Sequence, residues 1–418
     1  MDHDAPATLT ANAPDPTMTQ TPTQSTNRNA WHLVTGEYPP QPGGVADYTA
    51  LLGAELAKTG DDVHVWTSSG PDDPATEIQG VTVHRSAGRW SGDDLARLDR
   101  EFEAIPGSKH IVVQYAPNAW GFKGMNLGFC RWLVRRKKRG DDVRVMFHEC
   151  WYTLERRDKP MRYVLVAVQR LMARALMNAS SQVYMSIPYW ESMLRRSEPP
   201  GKKRPITWTP VPSNVPYTQN PEAVAALRRK WSPDGRPILA SFGTFGETIG
   251  SMMGRIVPGL VTPDNGRVFV LIGRGSDRFA SRLIAENPHL EGRLISTGGL
   301  APDDLSAHLQ ACDLLIQPYP DGVSSRRGSL MAGLANGVPA VTNLGARSEP
   351  VWSQSPCIIL APVPDPDAVI AAAGSALANP EGLAALRPQA RAFYEQHFEI
   401  RRTVEAIRGR AVDAPRRP

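Results

Sequence analysis

The sequence predicts an α/β protein of two doubly wound, Rossmann-like domains facing each other across a cleft. Three observations carry that expectation. Short β-branched runs alternate with helical periodicities along nearly the whole chain, the pattern of parallel sheets joined by helical crossovers. A Pro, Gly and Lys stretch, residues 198–205, interrupts the alternation near its middle. And 418 residues are too many for one ordinary core.

The elements follow in order. Residues 1–28 hold Asp, Ala, Pro, Thr, Gln and Asn with almost no large apolar side chain. They cannot bury enough surface to offset their ordering entropy, and they lack the basic start and apolar stretch of a signal peptide. They read as a disordered leader. A first domain, 29–199, opens with the strand Trp31–Thr35. The Gly43-Gly44 loop and a helix over Thr49–Thr59 come next, then strands at 61–67, 82–85, 110–114, 143–148 and 183–186. A second domain, 206–387, takes strands at 206–209, 238–242, 268–272, 293–296, 314–317, 340–342 and 358–360. A last helix, from Pro388 to about Arg408 within a terminal segment 388–410, ends the ordered chain.

Composition narrows the class. A net charge of +5 over this length is too diffuse to argue for nucleic acid. The four cysteines lie far apart, with no CxxC and no histidine at zinc spacing, which fits free thiols in a reducing, cytoplasmic compartment. The sequence contains no run of about 18 apolar residues. Its DxD strings are Asp2-His3-Asp4 and Asp365-Pro366-Asp367, neither near a phosphate loop, so no metal is expected.

The segment Ser325–Thr342 is the most informative. Two arginines, Arg326 and Arg327, precede a short small-residue helix, an Asn-Gly stop, Pro339 and a β-branched strand. Ligands of open α/β sheets sit where strands end and helices begin, and helix starts there bind anions. Guanidinium forks beside such a start suit phosphate, although a solvated basic loop has the same composition.

This run resembles the donor segment of retaining GT-B glycosyltransferases of the group 1, family 4-like type. Three further pieces occur in that family's order: Leu271-Ile272-Gly273-Arg274-Gly275, the stretch from Leu300 through Ala311-Cys312-Asp313 to Pro318, and Ser348-Glu349-Pro350-Val351. The resemblance covers about residues 30 to 410. It implies sugar transfer from a nucleotide diphosphate donor on the second domain to an acceptor hydroxyl. Retention would arise by a front-face mechanism in which the departing phosphate helps deprotonate the acceptor. No metal and no cofactor are implied, and the acceptor would be a carbohydrate or lipid-linked glycan. The terminal helix would cross back to the first domain.

Site residues follow from the same comparison. Gly43 and Gly44 match the family's first loop, where bare backbone approaches a ligand; on their own they are also a tight turn. His148 ends a strand beside the cleft, and in the family a histidine there contacts the transferred sugar; Glu149 is its neighbour. Gly243, Thr244, Arg274, Ser324, Ser325, Arg326, Arg327 and Gly328 are the expected donor and phosphate contacts. The family's paired glutamates are missing, since Ser324 and Ala332 stand at their positions. Glu247 or Glu349 could take the sugar-contact role instead. The same losses favour an alternative, a catalytically weakened carbohydrate-binding or partner subunit.

One further stretch is ambiguous. Arg131–Arg139 is a basic run beside apolar residues, suited to the inner face of an anionic membrane or simply to a solvated helix end. The helix Tyr163–Met177, with Arg162, Arg170 and Arg174 spaced along it, reads as ordinary amphipathic packing.

Overall fold

The computed structural model describes residues 30–68, 75–154, 158–198, 201 and 203–409; the leader expected over 1–28 and the tail beyond 409 lie outside them. The first half comprises β1 (Ala30–Thr35), α1 (Gly44–Lys58), β2 (Asp62–Trp66), β3 (Thr76–Ile78), β4 (Val81–His84), α2 (Gly92–Ala104) and β5 (Lys109–Tyr115). It continues through α3 (Leu127–Lys138), β6 (Asp142–Phe147), α4 (Pro160–Ala179), β7 (Gln182–Met185), α5 (Glu191–Ser197) and β8 (Ile206–Trp208). The second half comprises α6 (Pro221–Trp231), β9 (Ile238–Phe242), α7 (Glu247–Leu260), β10 (Val268–Ile272), α8 (Ser276–Glu286), β11 (Leu294–Ser296), α9 (Pro302–Gln310) and β12 (Leu314–Ile316). Then come α10 (Gly328–Ala335), β13 (Ala340–Asn343), β14 (Ile358–Ala361), α11 (Pro366–Leu377), α12 (Pro380–His397) and α13 (Ile400–Ile407).

Two sheets result. The first runs β3-β4-β2-β1-β5-β6-β7-β8 and the second β11-β10-β9-β12-β13-β14. Every pairing is parallel except β3 with β4. Parallel strands covered on both faces are buried throughout, as β1 and β10 are along their full length. Each sheet has a core on either face. Parallel order also brings the C-terminal ends of each sheet's strands to one edge, and those edges carry the site.

Helix boundaries follow side-chain chemistry. Ser91 accepts from Asp94 N–H while the Asp94 carboxylate takes the Ser91 N–H, a reciprocal cap that starts α2. In α10 a Cβ on Gly333 would fall 2.1 Å from Leu315 Cδ1, so the small-residue helix lies close against β12. Gly337, at φ +70°, ends that helix as the Asn-Gly signal predicts.

Two expectations change. The strand at 206–209 does not open the second sheet: β8 pairs with β7 and forms the edge of the first. Its periodicity is that of any short strand, and only pairing distinguishes the two sheets. The single helix expected from Pro388 is instead α12, which starts at Pro380 and contains Pro388, and a separate α13 beyond a break at Phe398 and Glu399. Val404 and Ile407 of α13 join Tyr48, Leu52 and Leu56 of α1 in the first half's core.

Candidate functional site

The cleft is built from loops at the two C-terminal edges. On the first sheet, β1 runs into residues 36–43 and then α1. Gly43 is extended, and a Cβ there would lie 2.3 Å from Glu37 Oε1. The Glu37 carboxylate fills that space and accepts from Ala46 N–H at 3.2 Å. The expected phosphate cradle at Gly43 and Gly44 therefore already holds a carboxylate. Its negative charge at the start of α1 suits neutral hydroxyls better than phosphate. Gly44 has open space where a side chain would stand.

His148 follows β6 and is buried. Its Nε2 lies 2.9 Å from Gln114 Oε1, and its ring packs edge-on against Tyr48 with centroids 4.7 Å apart. Its backbone is fixed too: its N–H donates to Tyr115 O, and its carbonyl accepts from Ser186 Oγ and Trp190 Nε1. Burial pushes the imidazole pKa down to about 3, so the ring is neutral at physiological pH. With Nε2–H donating to Gln114, Nδ1 keeps a lone pair to accept a hydrogen bond from a hydroxyl. Glu149, next in the chain, is exposed.

Across the cleft, the loop between β12 and α10 carries the arginines. Ser325 is wholly buried. Its N–H donates to Glu349 at 3.0 Å, its hydroxyl lies 2.6 Å from Glu349 Oε1 and 3.0 Å from Ser186 O, and Trp208 Nε1 donates to it at 3.3 Å. Ser186 and Trp208 belong to the first sheet's half, so Ser325 is a bolt between the halves. Ser324 is buried and its hydroxyl has no hydrogen-bond partner among the described residues. Neither serine is placed as an exposed donor contact.

The two arginines separate in role. Arg327 is ion-paired with Asp321 and lies over the Tyr319 ring, 4.6 Å from its centroid. It anchors the loop. Arg326 points into the cleft, 3.6 Å from Glu149 Oε1 and 6.0 Å above the Trp190 ring. Burial and the nearby Arg347 lower its pKa, but guanidinium stays protonated. Arg347, absent from the expected set, bonds Asp321 at 3.1 Å and lies over Tyr189 and Trp190 of the opposite half.

Glu349 is not placed to contact a sugar. Besides Ser325 it accepts from Trp352 Nε1 at 2.6 Å, and it is only 3% exposed. Burial raises its pKa while the three donors pull it down. Glu247 is exposed at the start of α7. Gly243 and Thr244 follow β9, where Gly273 must lack a Cβ because Gly243 O would sit 2.3 Å from it. A cavity of about 640 Å³ opens between this loop and α8, lined by Thr244, Gly246, Gly275 and Asp277 with the cations Arg278 and Arg282. Arg274 is exposed beside it. Gly328 begins α10. Among the described residues no group of three or more His, Cys, Asp or Glu is placed to hold a metal ion.

Sequence reasoning missed Glu37, Gln114, Asp321, Trp190 and Arg347. Gln114 alone carried a signal, as an isolated polar residue in the apolar run 111–115.

No protein-family model and no curated protein matches the chain. Solved structures do. Sucrose-phosphate synthase from Thermosynechococcus elongatus superposes with a TM-score of 0.65 at 18% identity, over 91% of this chain and 99% of that one. A glycosyltransferase from Rickettsia africae gives 0.67 at 12% identity, over 92% and 98%. HepE from Anabaena, solved with UDP-glucose, gives 0.59 at 13%, over 91% and 98%. The chain has the GT-B fold: two Rossmann-like domains with parallel sheets.

Proposed function

We propose that this protein is a glycosyltransferase that moves a sugar from a nucleotide diphosphate donor to an acceptor hydroxyl, with retention and without a divalent metal. The observation that carries this reading is the 3.6 Å approach of Glu149, the residue after His148, to Arg326 of the opposite half. It sets a neutral hydrogen-bonding imidazole and a desolvated cation across one cleft. Arg326 and the amide end of α10 would meet the donor's diphosphate and stabilise its departure. His148 Nδ1 would accept from a hydroxyl of the transferred sugar. Held by Gln114 and Tyr48, it orients that sugar and does not attack it. The departing phosphate oxygen, on the same face as the acceptor, would take the acceptor proton.

The likeness to a structure with UDP-glucose bound supports a nucleotide sugar as donor, and a carbohydrate or lipid-linked hydroxyl as acceptor completes the reading. Glu37 and the open face at Gly44 would line the acceptor side.

The test is a panel of uridine, guanosine, adenosine and thymidine diphosphate sugars, scored by thermal shift and by release of the nucleoside diphosphate. A ligand for the folded state raises its melting point by mass action. One donor should stabilise the protein and be slowly hydrolysed, and Arg326→Ala should weaken both effects. If no nucleotide sugar stabilises or reacts, the assignment fails.

A further inference from the structure

The ion pair that spans the cleft sets a carboxylate where a ligand's negative charge would lie. Arg326 comes from the loop between β12 and α10, Glu149 follows β6 in the first half, and their charged atoms are 3.6 Å apart. Glu149 has little room to travel. On one side His148 is locked, with its N–H on Tyr115 O and its carbonyl on Ser186 and Trp190. On the other side Cys150 is fully buried. Between these two fixed points the Glu149 side chain is half exposed, so its carboxylate can turn toward water but stays beside Arg326.

The neighbouring carboxylates are already engaged. Asp321 pairs with Arg327 and Arg347, and Glu349 is sealed beneath the loop by Ser325 and Trp352. A diphosphate on Arg326 therefore meets Glu149 as well as the guanidinium. The phosphate concerned is the terminal one. Glu149 is next in the chain to His148, His148 faces the transferred sugar, and that sugar is attached to the terminal phosphate.

The reaction changes the charge at this point. In the donor the terminal phosphate carries one negative charge. Transfer breaks the bond between the anomeric carbon and a phosphate oxygen, leaves the electron pair on that oxygen, and joins the carbon to the acceptor oxygen. The phosphate oxygen takes the acceptor's proton and then loses it to water, since the second ionisation of a phosphate lies near pH 6. The free diphosphate thus carries one more negative charge than the donor, and carries it beside Glu149.

We propose that Glu149 is a specificity-determining residue: its repulsion makes the site favour the sugar-bearing donor over the free nucleoside diphosphate, and so hastens departure of that product. The inference rests on the sugar-transfer reading. One added charge about 8 Å from a half-solvated carboxylate corresponds to about fivefold in affinity. The pairing with Arg326, by contrast, must be given up for either ligand and weakens both alike.

Titration calorimetry on the full chain at about pH 8, where the free diphosphate is fully ionised, tests it. The probes are UDP-glucose, GDP-mannose, ADP-glucose and dTDP-glucose, each against its free nucleoside diphosphate, and the pair that the parent binds most tightly is carried forward. Glu149→Gln should tighten both members of that pair, the free diphosphate about fivefold more than the sugar nucleotide. Glu149→Asp, which keeps the charge, should hold the parent's ratio to within about twofold. Inhibition of turnover by the free diphosphate should strengthen in Glu149→Gln by the same factor. Both variants should melt with the parent, because a half-exposed pair contributes little to stability. Equal tightening of both ligands, or no change in either, makes Glu149 only a tie between the halves and overturns the proposal while the sugar-transfer reading stands. If the parent binds none of the probes, that reading falls and the proposal with it.

Discussion

Glu349→Gln probes whether the carboxylate beneath the arginine loop is structural or contacts the substrate. The wild-type oxygens receive three donors: Ser325 N–H, Ser325 Oγ–H and Trp352 Nε1–H, at 2.6 to 3.0 Å. An amide has one acceptor oxygen. Turned toward Ser325, it keeps two bonds but loses their charge assistance, about 1 kcal/mol each. Its NH2 group then faces the Trp352 N–H, leaving a buried donor unpaired at about 1 to 3 kcal/mol. The expected loss is about 3 to 5 kcal/mol of unfolding free energy, read from urea denaturation with the slope unchanged. Donor KM should move little in whatever fraction stays folded. A loss below about 1 kcal/mol together with a tenfold rise in donor KM would refute this reasoning and return Glu349 to the sugar.

Three further outcomes are expected. Arg326→Ala should weaken nucleotide diphosphate binding by about 1.5 to 3 kcal/mol with little change in melting, whereas Arg327→Ala should chiefly lower stability by loosening its loop; calorimetry on the pair separates the roles, and the reverse pattern would exchange them. His148→Ala should cut turnover at least about tenfold and also cost about 1 to 2 kcal/mol of stability, because the ring is buried and bonded to Gln114; normal turnover would make it a core histidine only. Stability should fall in mild acid. Burial holds His32 at about 2, His148 at about 3 and His84 at about 4, all below the ordinary 6.5, with His64 adding to the depression of His32 and His84. From pH 6.5 down to about 4 the unfolded chain therefore binds protons that the folded one refuses, so stability rises with pH across that window. The three together cost about 4 kcal/mol at a pH near 5.5, Glu349 acting in the opposite sense. Urea curves that coincide at pH 7 and pH 5.5 would contradict those depressed values.

The sheets were legible in the sequence because their strands are short continuous apolar runs between helical periods, and β9, β10 and β12 coincide with the expected strands to within a residue. Strand membership was not: Ile206 to Trp208 looks alike beside either sheet, and pairing is decided by contacts distant in sequence. In the site, His148 and Arg326 were visible as polar residues at strand and helix ends. Their neighbours were not, because Glu37, Asp321 and Arg347 lie in loops whose meeting depends on backbone approach. Gly322 shows this: a Cβ there would lie 2.2 Å from Gly345 N, so two loops far apart in the chain touch. The amphipathic period of α4 was legible too: Val166, Met172, Ala173 and Leu176 face inward while Arg170 and Arg174 are exposed.

The placement of α13 has a consequence for biosynthesis. Tyr184 bonds Ala406 O across 222 positions, Arg408 pairs with Asp61 at 3.2 Å, and Ile407 lies in the core beneath α1. A ribosome releases the first sheet long before it releases this helix. The nascent first half must wait with an apolar groove open along Leu52 and Leu56 until the entire second half has been made. Vectorial folding therefore cannot finish the early half on its own. A stop codon before Ile400 would leave that groove uncovered, even though every strand of both sheets would be present.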